Sequence, residues 1–189
     1  FLKLYQQRSY VLAIKTENPI EGMYLDCEDN GLSVRGAGSY LLLGGGGHRT
    51  GKEGLGWKLP EKVARKYYPD APIVARWATQ DCMTLDGMPY IGRYSKATPD
   101  LYVATGFGKW GMSSSMVAAR ILTDLVQGKE DPYGGIFSPQ RSMLYAQLAA
   151  NGLEATLNLL SPKGPRCPHM GCALHWNKTE HSWDCACHG

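Results

Sequence analysis

No apolar run among the 189 residues approaches the roughly 18 that a membrane-crossing helix requires. Blocks of basic residues are missing too, and a formal net charge of +3 is too small to point to nucleic acid. The opening Phe1-Leu2-Lys3 starts no signal-peptide pattern. Only Cys27 and Cys82 lie outside the final 24 residues, so the chain carries no disulfide framework of the secreted type. These absences lead to the expectation of a cytoplasmic chain of one domain or two small ones, with no membrane span. An apolar content of 43% fits a soluble globular class.

What is present is concentrated at the end. Residues 166–189 read RCPHMGCALHWNKTEHSWDCACHG and hold four of the six cysteines and four of the five histidines. They fall into two clusters: Cys167-x-His169 with Cys172 behind it, and Cys185-x-x-His188 with Cys187 inside it. Thiolates and imidazoles from two loops form a metal-ligand set. Zinc accepts both residue types, and Cys167, Cys172, Cys185 and Cys187 make a four-sulfur alternative. Their spacing departs from the usual zinc knuckles and leaves the histidines without a role. Structural disulfides are a third reading, and they too use no histidine. His175 and His181, between the clusters, read as solvent-facing or packing residues.

One Cys and one His per loop, with fifteen residues between His169 and Cys185, resembles the Rieske [2Fe–2S] motif. The resemblance implies that Cys167 and Cys185 ligate one iron and that His169 and His188 ligate the other. It also implies a disulfide between Cys172 and Cys187, tying the ligand loops together. Reduction at an imidazole-ligated iron would couple to proton uptake, giving a pH-dependent potential.

The rest of the chain reads as an α+β arrangement with a mixed, largely antiparallel sheet. Strands are expected over 9–16, 22–28, 32–35, 39–43 and 71–79, with Cys27 in the core and, after the fourth, a glycine stretch at 44–47 that can hold positive φ or let a backbone approach closely. Pro60 suits the first position of a helix running to about Tyr68. Ser138 and Pro139 read as the start of another helix with a weak point at Gly152. Ser161-Pro162-Lys163-Gly164-Pro165 reads as a linker. The expected division is 1–135, 136–160 as a connecting helix, and 161–189 as the iron–sulfur segment. Phe1 is not a methionine and Gly189 directly follows a candidate ligand, so a piece of a longer protein is expected.

A second informative block reads DGMPYIGR from Asp86, LYVATGFGKWGMSSS from Leu101 and MVAARILTDLVQGK from Met116. A short apolar strand runs into glycines 106, 108 and 111, then into a helix whose free N–H groups face back at the turn. Such a corner can meet an anion or a cofactor. It resembles the C-terminal part of the D-amino-acid/glycine oxidase family of FAD enzymes, over roughly residues 9–130. The resemblance implies that Asp86, Pro89, Gly92, Gly106, Phe107, Gly108, Lys109, Trp110, Gly111 and Met112 face FAD or the space above it. Lys109 is then the catalytic candidate, a positive group at the flavin's pyrimidine end. Trp77 falls where that family carries an aromatic, and His48 is a candidate for facing substrate. Cys82 sits about three residues too late for a covalent flavin link and reads as a buried structural thiol. The family's dinucleotide fingerprint after an N-terminal strand is not in this sequence.

Together the two resemblances imply an FAD-dependent oxidoreductase with a C-terminal Rieske segment. It would oxidise a small amine or amino-acid-like substrate and pass electrons to the cluster and then to an unidentified acceptor. An electron-transfer module with no oxidase activity of its own is the alternative.

Overall fold

The protein is described by a computed structural model covering residues 2–28, 31–143, 146–162 and 164–187. Nine strands and four helices occur among these residues. In chain order they are β1 (Leu4–Lys15), β2 (Met23–Leu25), β3 (Ser33–Ala37), β4 (Tyr40–Arg49), α1 (Lys58–Tyr67), β5 (Ile73–Thr84), β6 (Tyr90–Ser95), β7 (Thr98–Thr105), α2 (Gly111–Val126), α3 (Gly134–Phe137), α4 (Ala146–Leu160), β8 (Leu174–Asn177) and β9 (Ser182–Cys185). The architecture is α+β. The described residues form two compact units, 2–6 with 81–161 and 7–80 with 162–187.

The second unit is built on the sheet β2-β3-β4-β1-β5. Residues 10–15 of β1 pair antiparallel with 40–45 of β4, and β3 pairs with the other edge of β4. Alternation puts Leu12 and Ile14 of β1 with Leu41 and Leu43 of β4 on one apolar face, closed by Ala64 of α1. These five are almost fully buried, with Trp57, Tyr68 and Ile73 packed around them. Trp57 Nε1 donates to the Val11 and Trp77 carbonyls, so the ring is anchored at its polar end.

The glycine run, expected after the strand over 39–43, lies inside β4, and it shows both the positive φ (Gly46, +68°) and the close backbone approach expected of it. Gly44 pairs with Val11 and with Ser33. A Cβ on Gly44 would strike Ser33 Oγ, and one on Gly45 would strike Leu32. Bare backbone is therefore what lets the neighbouring chain pack against this stretch.

In the first unit, β6 and β7 form an antiparallel hairpin, and α2 buries Ala118 and Ile121 against Ile91. Helix α2 begins at Gly111, five residues before the apolar run that signals it. Ser113 and Ser115 sit in its first turns and donate back to the Trp110 and Met112 carbonyls, which accommodates serines there.

Ser138–Pro139 does not start a helix. Ser138 terminates α3 with φ −53° and ψ 127°, the extended setting that a following proline imposes. Arg141 Nη1 donates to the Phe137 and Ser138 carbonyls, withdrawing acceptors that a continuing helix would need. Helix α4 runs unbroken through Gly152. Cys27, expected in the core, is exposed just beyond β2.

Candidate functional site

Two sites emerge, one in each unit. In the first unit the glycine corner lies between β7 and α2. Gly106 and Gly108 have φ of +72° and +58°, left-handed settings that glycine adopts without a Cβ penalty. The Gly108 N–H donates to the Cys82 carbonyl at 3.0 Å and pins the turn to β5. Cys82 is half-buried and its sulfur accepts the Thr105 hydroxyl.

Besides Gly106 and Gly108, the other eight candidates for facing a flavin divide into three groups. Asp86 and Pro89 are engaged by Arg141: Nε and Nη2 reach the two Asp86 oxygens at 2.8 Å each, and Nη1 reaches the Pro89 carbonyl. Burial acts to raise the Asp86 carboxyl. The Arg141 hydrogen bonds, the Met88 N–H and the guanidinium charge outweigh it and hold the group below the ordinary range. Gly92 sits inside the β6–β7 hairpin, and Phe107 packs against the Ile91–Ala118–Ile121 core.

The remaining group is open. Trp110 is 64% and Met112 89% exposed at the head of α2. A Cβ on Gly111 would meet no described atom within 4 Å. Lys109 is partly exposed and donates to Asp81 Oδ2 at 3.2 Å. A left-handed glycine turn and an open apolar surface at a helix N-terminus suit a flat cofactor such as a flavin.

In the second unit the cysteine loops come together. The first loop closes on itself: Cys167 N–H donates to the Cys172 carbonyl and Gly171 N–H to the Cys167 carbonyl. The β8–β9 hairpin then carries the chain to the second loop, with Leu174 opposite Cys185. The Cys167 sulfur accepts backbone N–H bonds from His169 and Met170 and the Cys185 thiol, which pull its pKa down against the opposing effect of burial. The sulfurs of Cys172, Cys185 and Cys187 all lie within 4.8 Å of one another, and all three residues are buried. Burial, then hydrogen bonding to Cys172, pushes the Cys187 thiol up. All six cysteines are free thiols. His169 is exposed, and His188 lies outside the described residues. Half-buried Cys167 and buried Cys185 bring one sulfur from each loop, and His169 is exposed on the first loop, which fits the sulfur half of a [2Fe–2S] ligand set. The three clustered sulfurs of Cys172, Cys185 and Cys187 suit a zinc ion as well.

His48, next to last in β4, stacks on Tyr10 with ring centres 5.7 Å apart, and lines a cavity of about 420 Å³ with Lys52, His175, Asn177 and Lys178. Trp77 lies on β5 and is 38% exposed. The residues that sequence reasoning missed are Arg8, Tyr10 and Arg141. Each acts on a partner more than fifty positions away, and no local pattern marks it.

Known proteins supply context for both sites. A family model for FAD dependent oxidoreductases matches residues 1–125. The protein named "Putative Rieske 2Fe-2S iron-sulfur protein YhfW" of Bacillus subtilis (strain 168) is 34% identical over 238 aligned positions, covering 99% of this chain. The chain spans 47% of that relative. Glycine oxidase from Geobacillus kaustophilus has a similar fold, with a TM-score of 0.65 at 24% identity over 76% of this chain and 40% of that one. L-proline dehydrogenase from P. horikoshii matches with a TM-score of 0.59 at 18% identity, over 75% of this chain and 41% of that one. With two thirds of its length matched by the family model, the chain belongs to the FAD dependent oxidoreductase family.

Proposed function

We propose that the parent protein oxidises an amine or amino-acid-like small molecule at a bound FAD and relays the electrons through a Rieske-type [2Fe–2S] cluster. One observation carries the reading. In a chain of the FAD dependent oxidoreductase family, thiols from two separate Cys/His loops meet, the Cys172 sulfur of the first lying within 4.8 Å of the Cys185 and Cys187 sulfurs of the second.

The flavin supplies two-electron oxidation of the substrate and the cluster one-electron relay. The chain's own residues bind and orient. Gly106 and Gly108 bend the backbone so that Lys109, Trp110, Gly111 and Met112 form one edge of the flavin site. Lys109 brings positive charge to that edge, tempered by Asp81 at 3.2 Å. Cys167, His169, Cys185 and His188 would hold the cluster, with the exposed His169 facing the acceptor. Cys172 and Cys187, free thiols whose sulfurs lie within 4.8 Å of each other, would form the bridge that the motif implies. The family membership and the 34% identical relative support this reading, and the cytoplasmic setting is part of it. Residues 162–187 share a compact unit with residues 7–80, which favours one integrated enzyme over a separate electron-transfer module.

Full-length protein, produced anaerobically with iron supplied, tests the proposal. Flavin absorption together with about two irons and two sulfides per chain, and the electron-spin-resonance signal of a histidine-ligated cluster, is the expected result. Colourless or zinc-only material sinks it.

A further inference from the structure

The hairpin that carries the second cysteine loop is held by polar contacts to β1. Arg8 sits there, 85% covered, with its Nη2 donating to Asp184 Oδ1 at 2.5 Å. Its Nε lies 3.3 Å from Glu180 Oε1, an ion-pair distance without hydrogen-bond alignment. Asp184 is only 3% exposed and immediately precedes Cys185. Its second oxygen accepts Asn177 Nδ2 at 3.0 Å, and Asn177 also donates to Glu180 and, at 3.4 Å, to the buried Tyr10 hydroxyl. The Asn177 Oδ1 accepts the Thr179 and Glu180 N–H groups, which fixes the hairpin's turn. Two backbone approaches reinforce this. A Cβ on Gly51 would lie 2.5 Å from Ala186, between Cys185 and Cys187, and one on Gly56 would lie 2.6 Å from Thr179.

An isolated two-stranded hairpin is marginal in water, and β8 and β9 have four residues each. Their order must come from what they pack on. A buried carboxylate next to a ligand residue is costly unless paired, and Arg8 is the cation that pairs it. We infer that Arg8, on a strand of the oxidase sheet, is a positioning residue for the cluster loop: through Asp184 it fixes the hairpin and the Cys185 sulfur at its end. The consequence for a cluster rests on the Rieske reading; the mooring itself does not.

The test uses full-length protein supplied with iron and sulfide. Arg8→Met should speed amide exchange over residues 174–185 on the order of a hundredfold. It should also lower the cluster's midpoint potential, because a positive charge is removed from beside the residue that precedes Cys185. Arg8→Lys should rescue both in part, and it keeps the test usable should the methionine variant not fold. Adding Asp184→Asn to Arg8→Met should restore the potential but not the exchange protection, a pattern that a merely structural role would not give. Unchanged exchange in the Arg8 variants overturns the mooring, and an unchanged potential overturns the link to the cluster. Wild-type protein that takes up no cluster defeats the Rieske reading alone. The exchange rates of that same material then decide whether Arg8 holds the hairpin.

Discussion

Arg141 grips Asp86 from 55 residues downstream, with Nε and Nη2 on separate carboxylate oxygens at 2.8 Å. The same guanidinium lies 3.9 Å from the Tyr90 ring centre and donates to the Met88, Pro89, Phe137 and Ser138 carbonyls. One half-buried cation thus ties the Asp86–Tyr90 segment to the chain after α3. Arg141→Met removes all of these bonds and leaves Asp86 uncompensated. Its expected cost is about 3 kcal/mol, the lower end for breaking a buried pair. Urea unfolding of the wild type and the variant measures it.

Asp86 also gives that contact a pH signature. Its carboxyl is held below the ordinary carboxylate value of 3.8, so the folded form binds the proton more weakly than the unfolded one. The stability it contributes is complete above about pH 5 and is lost as pH falls through the lowered folded value. Wild-type protein should therefore lose more stability than Arg141→Met between pH 5 and pH 3, where this group's protonation matters. Equal slopes for the two proteins would assign the acid sensitivity to other carboxylates.

Legibility from sequence followed the range of the interaction. Alternation found β1 and β4 because Leu12, Ile14, Leu41 and Leu43 share one face at period two. The glycine corner and the two cysteine clusters were readable because their residues are close in sequence. The strand through residues 44–47 was not, since its glycines are required by Ser33 and Leu32 on other segments. The helix expected at Pro139 failed for a similar reason: Arg141 takes carbonyls that local propensity cannot know are in demand. Arg8 reads only as the residue before an apolar run, and its partner Asp184 lies 176 positions away.

Gly106→Ala probes the glycine corner. The added methyl would collide with the Thr84 side chain and would sit at φ +72°. The expected penalty is roughly 1–3 kcal/mol, together with weaker flavin retention in the full-length protein. Thr84→Ser, which deletes the obstructing methyl, should recover part of the loss in combination. Gly87→Ala, also at positive φ but with open space around it, is the control for backbone strain alone.

Gly51 and Gly56 allow a graded test of packing around the second cysteine loop. Both have positive φ, +80° and +59°. At Gly51 an added Cβ meets the Cα and N of Ala186 as well as its Cβ, and backbone does not yield easily. At Gly56 the nearest atoms it meets belong to the Thr179 side chain, which can rotate. Gly51→Ala should therefore lower iron retention in the full-length protein more than Gly56→Ala, although their backbone strain is comparable. Iron per chain after gel filtration reads the difference.

The two metal readings part at residues that only one of them needs. A Rieske cluster requires His169 and does not require the sulfurs of Cys172 and Cys187 as ligands. A four-sulfur zinc site needs both of those sulfurs and not the imidazole. His169→Ala should therefore abolish the histidine-ligated signal and most of the iron, leaving Cys172→Ala with a cluster of lower stability. Cys167→Ser and Cys185→Ser should empty the site under either reading and serve as the floor. Full iron occupancy in His169→Ala, or zinc content that falls only with Cys172 and Cys187 substitutions, would transfer the site to zinc. Three of the four sulfurs, those of Cys172, Cys185 and Cys187, already lie within 4.8 Å of one another, which is why the imidazole variant, and not a cysteine one, is the deciding experiment.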